Sequence, residues 1–221
     1  TCYTAALDNH AVPPSDLVAA LEIAKQLNLK LKIKKVKMEE IPDYLKKIVP
    51  LIEDTNVTKV GVALTFYLAS EMAKEDGCKV IFSGLGSEEI FAGYERHKQS
   101  ANINQECVSG LIKLYERDLY RDDVLTMDNN LELRLHYLDK ELISYALKIP
   151  PKYKINDLNT KIILRNIAKE EGIPQEFAFR RKVAAQYGSR LDNAIERLAR
   201  SQNCASKSAY LQQFYSKPNL N

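Results

Sequence analysis

The residues best suited to chemistry lie in one short run, Ser83-Gly84-Leu85-Gly86-Ser87-Glu88-Glu89, directly after the apolar triplet Val80-Ile81-Phe82. Such a sequence reads as a buried strand, a glycine turn and a helix start. Gly84 and Gly86 let backbone approach a ligand closely, and the N–H groups of a helix start attract anions. A phosphate-binding turn is therefore one chemistry open to this spacing. The glutamates have two readings. With Ser87 as N-cap, acidic residues in the first turn complement the helix dipole. Alternatively, they hold magnesium, which commonly takes one or two carboxylates plus phosphate oxygens. Two more segments carry charge in a pattern. Glu132 and Arg134 alternate with Leu131, Leu133 and Leu135, which suits a structural ion pair. Arg180-Arg181-Lys182 is a cluster that, taken alone, suits a solvated surface.

These groups need elements to carry them. Residues 2–7 suit a short buried strand. Pro13-Pro14-Ser15 starts a helix whose apolar side is Leu17, Leu21, Ala24 and Leu27. Residues 29–37, LKLKIKKVK, alternate as a half-exposed strand. Its lysines suit a guarded edge strand, with a polyanion patch as the other reading. The segment 38–53 has helical spacing and is expected to be cut by Pro42 and Pro50. Residues 57–75 are apolar on nearly every side, as in a buried helix, and the strand at Val80 follows. This alternation predicts an α/β class with a parallel sheet. After about residue 98 the pattern turns helical. Val108, Leu111, Ile112 and Tyr115 share one predicted face. Asp139 can cap a helix over 140–148, with Leu138 and Ile143 as a hydrophobic staple. Thr160 can cap another that ends at Gly172 and Pro174. Leu191, Ala194, Ile195 and Leu198 mark one more, and the polar tail has room for a short helix.

Bulk numbers exclude several classes. The net charge is +3, from 32 basic and 29 acidic residues, too mild to argue for nucleic acid. The four cysteines are scattered without a C-x-x-C pair, and there are three histidines. A zinc site or disulfide framework is not expected, and a reducing cytoplasm is. No run approaches the ~18 apolar residues of a membrane span, and no signal peptide is visible.

Taken together, the segments resemble the synthetase (ATP pyrophosphatase) domain of the asparagine synthetase family. The family pattern S-G-E-G-[AS]-D-E-x-x-x-G-Y is met by Ser83 to Glu89 with Gly93-Tyr94. Its acidic-Pro-x-x-T segment is similar to Glu53-Asp54-Thr55-Asn56-Val57-Thr58. L-E-x-R-x-P-F-L-D is met by Leu131 to Asp139, L-P-P by Ile149-Pro150-Pro151, and R-x-K by Arg180-Arg181-Lys182. Asp118, Arg121 and Asp123 stand where the family has D-x-x-R-x-D. The resemblance covers roughly residues 1–190. Residues 92–97, AGYERH, and 186–190, QYGSR, resemble an offshoot called asparagine synthetase domain-containing proteins.

The resemblance implies a sheet flanked by helices, of the adenine nucleotide α-hydrolase-like (HUP) type, with a mostly helical C-terminal half. It implies one domain over 1–221, with an α/β nucleotide-binding half at 1–98, a helical half at 99–200 and a tail at 201–221. It also implies a reaction. A substrate carboxylate attacks the α-phosphate of Mg-ATP and releases pyrophosphate. An amine, or ammonia from a separate glutaminase domain, then takes the acyl group from the adenylate. By position, Ser83, Gly84, Leu85 and Gly86 would line the nucleotide, with Ala5 beside the adenine. Glu88 would hold Mg²⁺, Lys182 would steady charge on the α-phosphate and the acyl intermediate, and Glu132 would orient the amine side. A homodimer is compatible with such a chain.

Two departures stand out. The family's pyrophosphate loop, S-G-G-x-D-S, has no match, and the resemblance begins just after it; the loop is expected upstream of Thr1. Leu85 stands where asparagine synthetases have glutamate, and leucine can neither accept a proton nor pair an ammonium. A non-catalytic relative kept for nucleotide or protein binding is thus the second functional expectation. An RNA-modifying ATP pyrophosphatase, resting on the basic strand, is the third.

Overall fold

The computed structural model describes residues 1–8 and 12–215. In chain order the elements are β1 (Cys2–Leu7), α1 (Ser15–Gln26), β2 (Leu31–Val36), α2 (Ile41–Ile52), α3 (Val57–Glu75), β3 (Val80–Phe82), α4 (Ser87–Ile90), α5 (Glu95–Gln99) and α6 (Ile103–Ile112). They continue with α7 (Tyr120–Asp128), β4 (Glu132–Arg134), α8 (Lys140–Lys148), α9 (Ile162–Glu170), α10 (Gln175–Ala178), α11 (Ala185–Gly188), α12 (Leu191–Ser201) and α13 (Lys207–Gln212). The class is α/β with helix predominating. The described strands form two small sheets. β1 and β2 run parallel, with Cys2 opposite Leu31 and Leu7 opposite Val36, and β3 pairs with β4. The last residues of the tail lie outside the described part.

The chain divides into two compact units that interleave along the sequence. The first takes residues 1–81, 121–132 and 182 onward; the second takes 82–120 and 133–181. In the first, α3 is the central element. It buries Val60, Ala63, Leu64, Tyr67 and Leu68 against Leu7, Val36, the apolar side of α2, and Leu191, Ala194 and Ile195 of α12. Asn56 caps α3 by accepting from the N–H groups of Thr58 and Lys59 at 3.0 and 3.1 Å. At its other end Gly77 turns left-handed (φ 75°) and Cys78 N–H reaches the Ala73 carbonyl, a glycine C-cap.

The prolines do not cut residues 41–52. Pro42 sits in the first turn of α2, where its missing N–H is no loss, and Pro50 lies in the last turn, just before Glu53 turns left-handed. Burial of Ile41, Leu45, Ile48, Val49 and Ile52 along one face outweighs the single hydrogen bond Pro50 removes. On β2, Lys32 pairs with Asp76 and Lys34 with Glu71, so acids at the end of α3 answer these lysines.

The second unit is built on Ile90, Phe91, Ala146 and Ile149, with a smaller cluster of Ala92, Cys107 and Ile155. Here α6 turns a different face inward from the predicted one. Cys107 and Gly110 are buried, with Leu114 just beyond the helix; of the predicted face Leu111 packs against the core, whereas Ile112 is 76% exposed and Val108 and Tyr115 face solvent. The contact point explains the rotation. A Cβ on Gly110 would lie 3.3 Å from Glu89 Cγ and Arg96 Nη2, so α6 is pressed onto the α4–α5 segment through its bare glycine. The strand β3 is also more open than its composition predicts, with Phe82 69% exposed. It is three residues long and has one strand neighbour among the described residues.

Asp139 caps α8 as expected, accepting from Glu141 and Leu142 N–H at 2.9 and 3.0 Å. Asp139→Ala is expected to cost about 1 kcal/mol, read as a drop of a few degrees in the thermal midpoint. Thr160 does not cap α9. The position falls to Lys161 in a left-handed conformation (φ 52°, ψ 40°), while Thr160 forms a bridge with Ile155. All four cysteines are free. Among the described residues no helix is long and apolar enough to cross a membrane.

Candidate active site

The glycine turn belongs to the second unit. Ser83 N–H donates to the Arg134 carbonyl at 3.2 Å, fixing the turn to the segment that follows Glu132. The Ser83 hydroxyl accepts from Leu85 N–H at 3.3 Å. Gly84 is exposed, and a Cβ built on it would meet nothing within 4 Å. Backbone here is open to close approach. Gly86 is the opposite case: it is buried and left-handed (φ 95°, ψ −21°), and a Cβ would lie 2.5 Å from Leu138 Cδ2. The following helix is a single turn, Ser87–Ile90, ended by left-handed Ala92 and by Gly93, against which the Glu88 backbone is packed. The helix start is therefore too short to supply much dipole, and Ser87 is not its N-cap. Gly86 holds that position, and the Ser87 hydroxyl donates to Glu88 Oε2 at 2.7 Å.

The two glutamates diverge. Glu88 reaches toward α9, and its Oε1 accepts from Lys161 Nζ at 2.8 Å. Glu89 points inward and is 2% exposed. Burial pushes its carboxyl above the ordinary value, and Glu88 and Asp118 push the same way, while a hydrogen bond from the Tyr94 hydroxyl offsets part of the effect. The stacked Tyr94 and His97 rings and the Arg96 guanidinium over Tyr94, 4.1 Å from the ring centre, complete this polar core. Burial lowers the affinity of His97 for a second proton. A carboxyl that holds its proton more tightly folded than unfolded gives stability that is full at acid pH. That stability declines as pH rises through the unfolded value toward the folded one. Glu89→Gln removes the decline. The thermal midpoint of the variant relative to the parent is expected to rise between pH 4 and pH 7.

The remaining candidates lie in the first unit. Ala5 is buried in β1. Glu132 is exposed on β4 beside buried Leu131. Lys182 is exposed, in a segment without helix or strand that leads to α11. In the second unit, half-buried Arg165 of α9 ties down the chain just ahead of that lysine: its Nη1 donates to the carbonyls of Ala178 and Arg180 at 2.9 and 3.1 Å, and its Nε to that of Thr160 at 2.7 Å.

Comparison with known proteins decides the family. A family model described as asparagine synthase matches residues 1–107 and 98–218. The putative asparagine synthetase [glutamine-hydrolyzing] 1 of Methanocaldococcus jannaschii is 35% identical over 230 residues, covering 87% of this chain and 42% of that protein. Asparagine synthetase B [glutamine-hydrolyzing] of Escherichia coli is 31% identical, covering 76% of this chain and 31% of its own length. The human asparagine synthetase [glutamine-hydrolyzing] is 30% identical over 78% of this chain and 32% of its own. The chain belongs to the asparagine synthase family. It spans less than half the length of these curated relatives.

For an asparagine synthase family chain, the groups implied are a nucleotide and magnesium. The exposed, open Gly84 turn suits a phosphate approaching backbone. Among the described residues no group of three or more His, Cys, Asp or Glu side chains is placed to hold a metal. A single carboxylate, Glu88, suits a metal that arrives with phosphate oxygens as its other ligands. Lys161 and Arg165 were missed by sequence reasoning. The run Lys161-Ile162-Ile163-Leu164-Arg165 carried a signal, two basic residues four apart at a helix start, but nothing in spacing says that the first reaches Glu88.

Proposed function

We propose that the chain is an ATP-dependent amide-forming synthetase domain of asparagine-synthetase type, with residues 1–221 forming one HUP-like domain. The observation that carries it is the Ser83–Glu88 turn: exposed Gly84 beside a carboxylate paired to a cation, in a chain of this family. A substrate carboxylate oxygen attacks the α-phosphorus, and the bond to the leaving pyrophosphate breaks. The nitrogen of an amine or of ammonia then attacks the acyl carbon, loses a proton, and AMP leaves. Backbone of Ser83, Gly84, Leu85 and Gly86 positions the phosphates, and Ala5 lies by the base. Lys182 meets charge developing on the α-phosphate. Glu132 orients the nitrogen side. Glu88 is the protein ligand for Mg²⁺, which when bound neutralises phosphate charge.

The test is magnesium-dependent exchange of label between pyrophosphate and ATP on the full-length protein, across a panel of carboxylates that includes aspartate. Exchange that depends on one acid names the substrate; none with any acid, from a folded protein, counts against adenylation of those acids. Leu85 favours a second reading. An apolar side chain where the family places an amine-handling glutamate suits a non-catalytic domain retained for nucleotide or protein binding. ATP binding without exchange is its expected result.

A further inference from the structure

Glu88 already has a cation. Its Oε1 accepts from Lys161 Nζ at 2.8 Å, and both side chains are largely buried, at 14% and 21% exposure. Its Oε2 accepts from the Ser87 hydroxyl. Lys161 itself is costly to place. A non-glycine residue in the left-handed region loses roughly 1–2 kcal/mol, and such strain persists only where the surroundings impose it. They do so here. Arg165 Nε holds the Thr160 carbonyl at 2.7 Å, Thr160 bridges to Ile155, and Ile162 N–H donates to the Lys154 carbonyl at 2.9 Å. Thr160, a better capping residue by type, is passed over, and the strained position aims an ammonium at the carboxylate beside the open turn.

We propose that Lys161 is the resident counter-cation of Glu88. When a metal–nucleotide enters, the metal takes its place on the carboxylate and the released ammonium pairs with a phosphate oxygen. The proposal rests on the nucleotide reading above. Its logic is charge conservation. The incoming pair brings one cation and one anion, the resident pair offers one of each, and an exchange of partners leaves no charge unpaired in a partly buried place. A metal alone brings no anion for Lys161, so it should compete poorly.

The test uses the full-length protein with Lys161→Met and Lys161→Gln, two uncharged variants in case one fails to fold. Mn²⁺ alone is the first probe, read by electron paramagnetic resonance, with Glu88→Gln as the control that should lose the signal. Mg-ATP, read by calorimetry, is the second. A charge-assisted hydrogen bond is typically worth enough for a factor of about ten in affinity. The uncharged variants should bind Mn²⁺ about tenfold tighter and Mg-ATP about tenfold weaker, with Lys161→Arg close to the parent in both. Unchanged or weaker Mn²⁺ binding would overturn the inference. So would unchanged Mg-ATP affinity in a protein that does bind Mg-ATP, and the nucleotide reading would then stand. A parent protein that binds no Mg-ATP would sink both.

Discussion

Lys182→Ala is expected to lower acid-dependent ATP–pyrophosphate exchange by roughly 10²–10³-fold while leaving the fold intact. The loss follows from the proposed role. A cation facing charge that grows in the transition state contributes more there than in the ground state, so its removal should fall on turnover more than on nucleotide affinity. The fold should change little because Lys182 is exposed, in the irregular segment between α10 and α11. Exposed substitutions away from special backbone usually stay within about 0.5 kcal/mol. Lys182→Arg separates charge from shape. It keeps the positive charge but replaces a compact ammonium with a planar fork, so partial recovery of exchange would point to charge and none to fine placement. If exchange survives in Lys182→Ala, the carried-over role is wrong. If exchange and thermal midpoint fall together, the lysine is structural. Arg165 offers a further check, because it holds the Arg180 carbonyl two residues earlier. Arg165→Lys should lower exchange by misplacing the segment, and, because Arg165 also holds the Thr160 carbonyl next to Lys161, Mg-ATP affinity should fall with it.

Much of the fold was legible because its signals are local. A capping aspartate at 139 and an all-round apolar run at 57–75 each act within a turn or two, and each appears where periodicity and capping chemistry put it. What failed depended on tertiary contact. Hydrophobic spacing assigned α6 the face of Val108 and Ile112, because glycine scores nothing, yet Gly110 is where a neighbouring segment fits closest. The prolines of α2 were read by residue type, though their effect depends on which turn of the helix they occupy. Candidate site residues could be named from the sequence, but their partners could not. Ser83, Gly84 and Glu88 share one turn. The partner of Glu88, however, lies 73 residues away in sequence, beyond what spacing conveys.

Gly86→Ala should be strongly destabilising for a single methyl group. Two costs add. The left-handed backbone (φ 95°) penalises any Cβ by roughly 1–2 kcal/mol. The new atom would also lie 2.5 Å from Leu138 Cδ2 and 3.1 Å from Leu138 Cγ, an overpacking that costs typically about 1–3 kcal/mol. Together they predict a loss of about 2–5 kcal/mol, seen as a lower urea midpoint. A double-mutant cycle divides the sum. Leu138→Ala makes room, so in its background Gly86→Ala should recover the packing share and keep the backbone share. Full recovery would mean the glycine is needed only for space, and the left-handed turn is incidental. No recovery would put the whole cost in the backbone. The division matters for function, because Leu138 follows Glu132 and Arg134 in the same segment whose Arg134 carbonyl already holds Ser83. Gly86 is where that segment presses on the turn. A methyl group there should move Ser83 and Gly84 away from any phosphate they hold, and the double variant, even where stability returns, should regain Mg-ATP binding only in part.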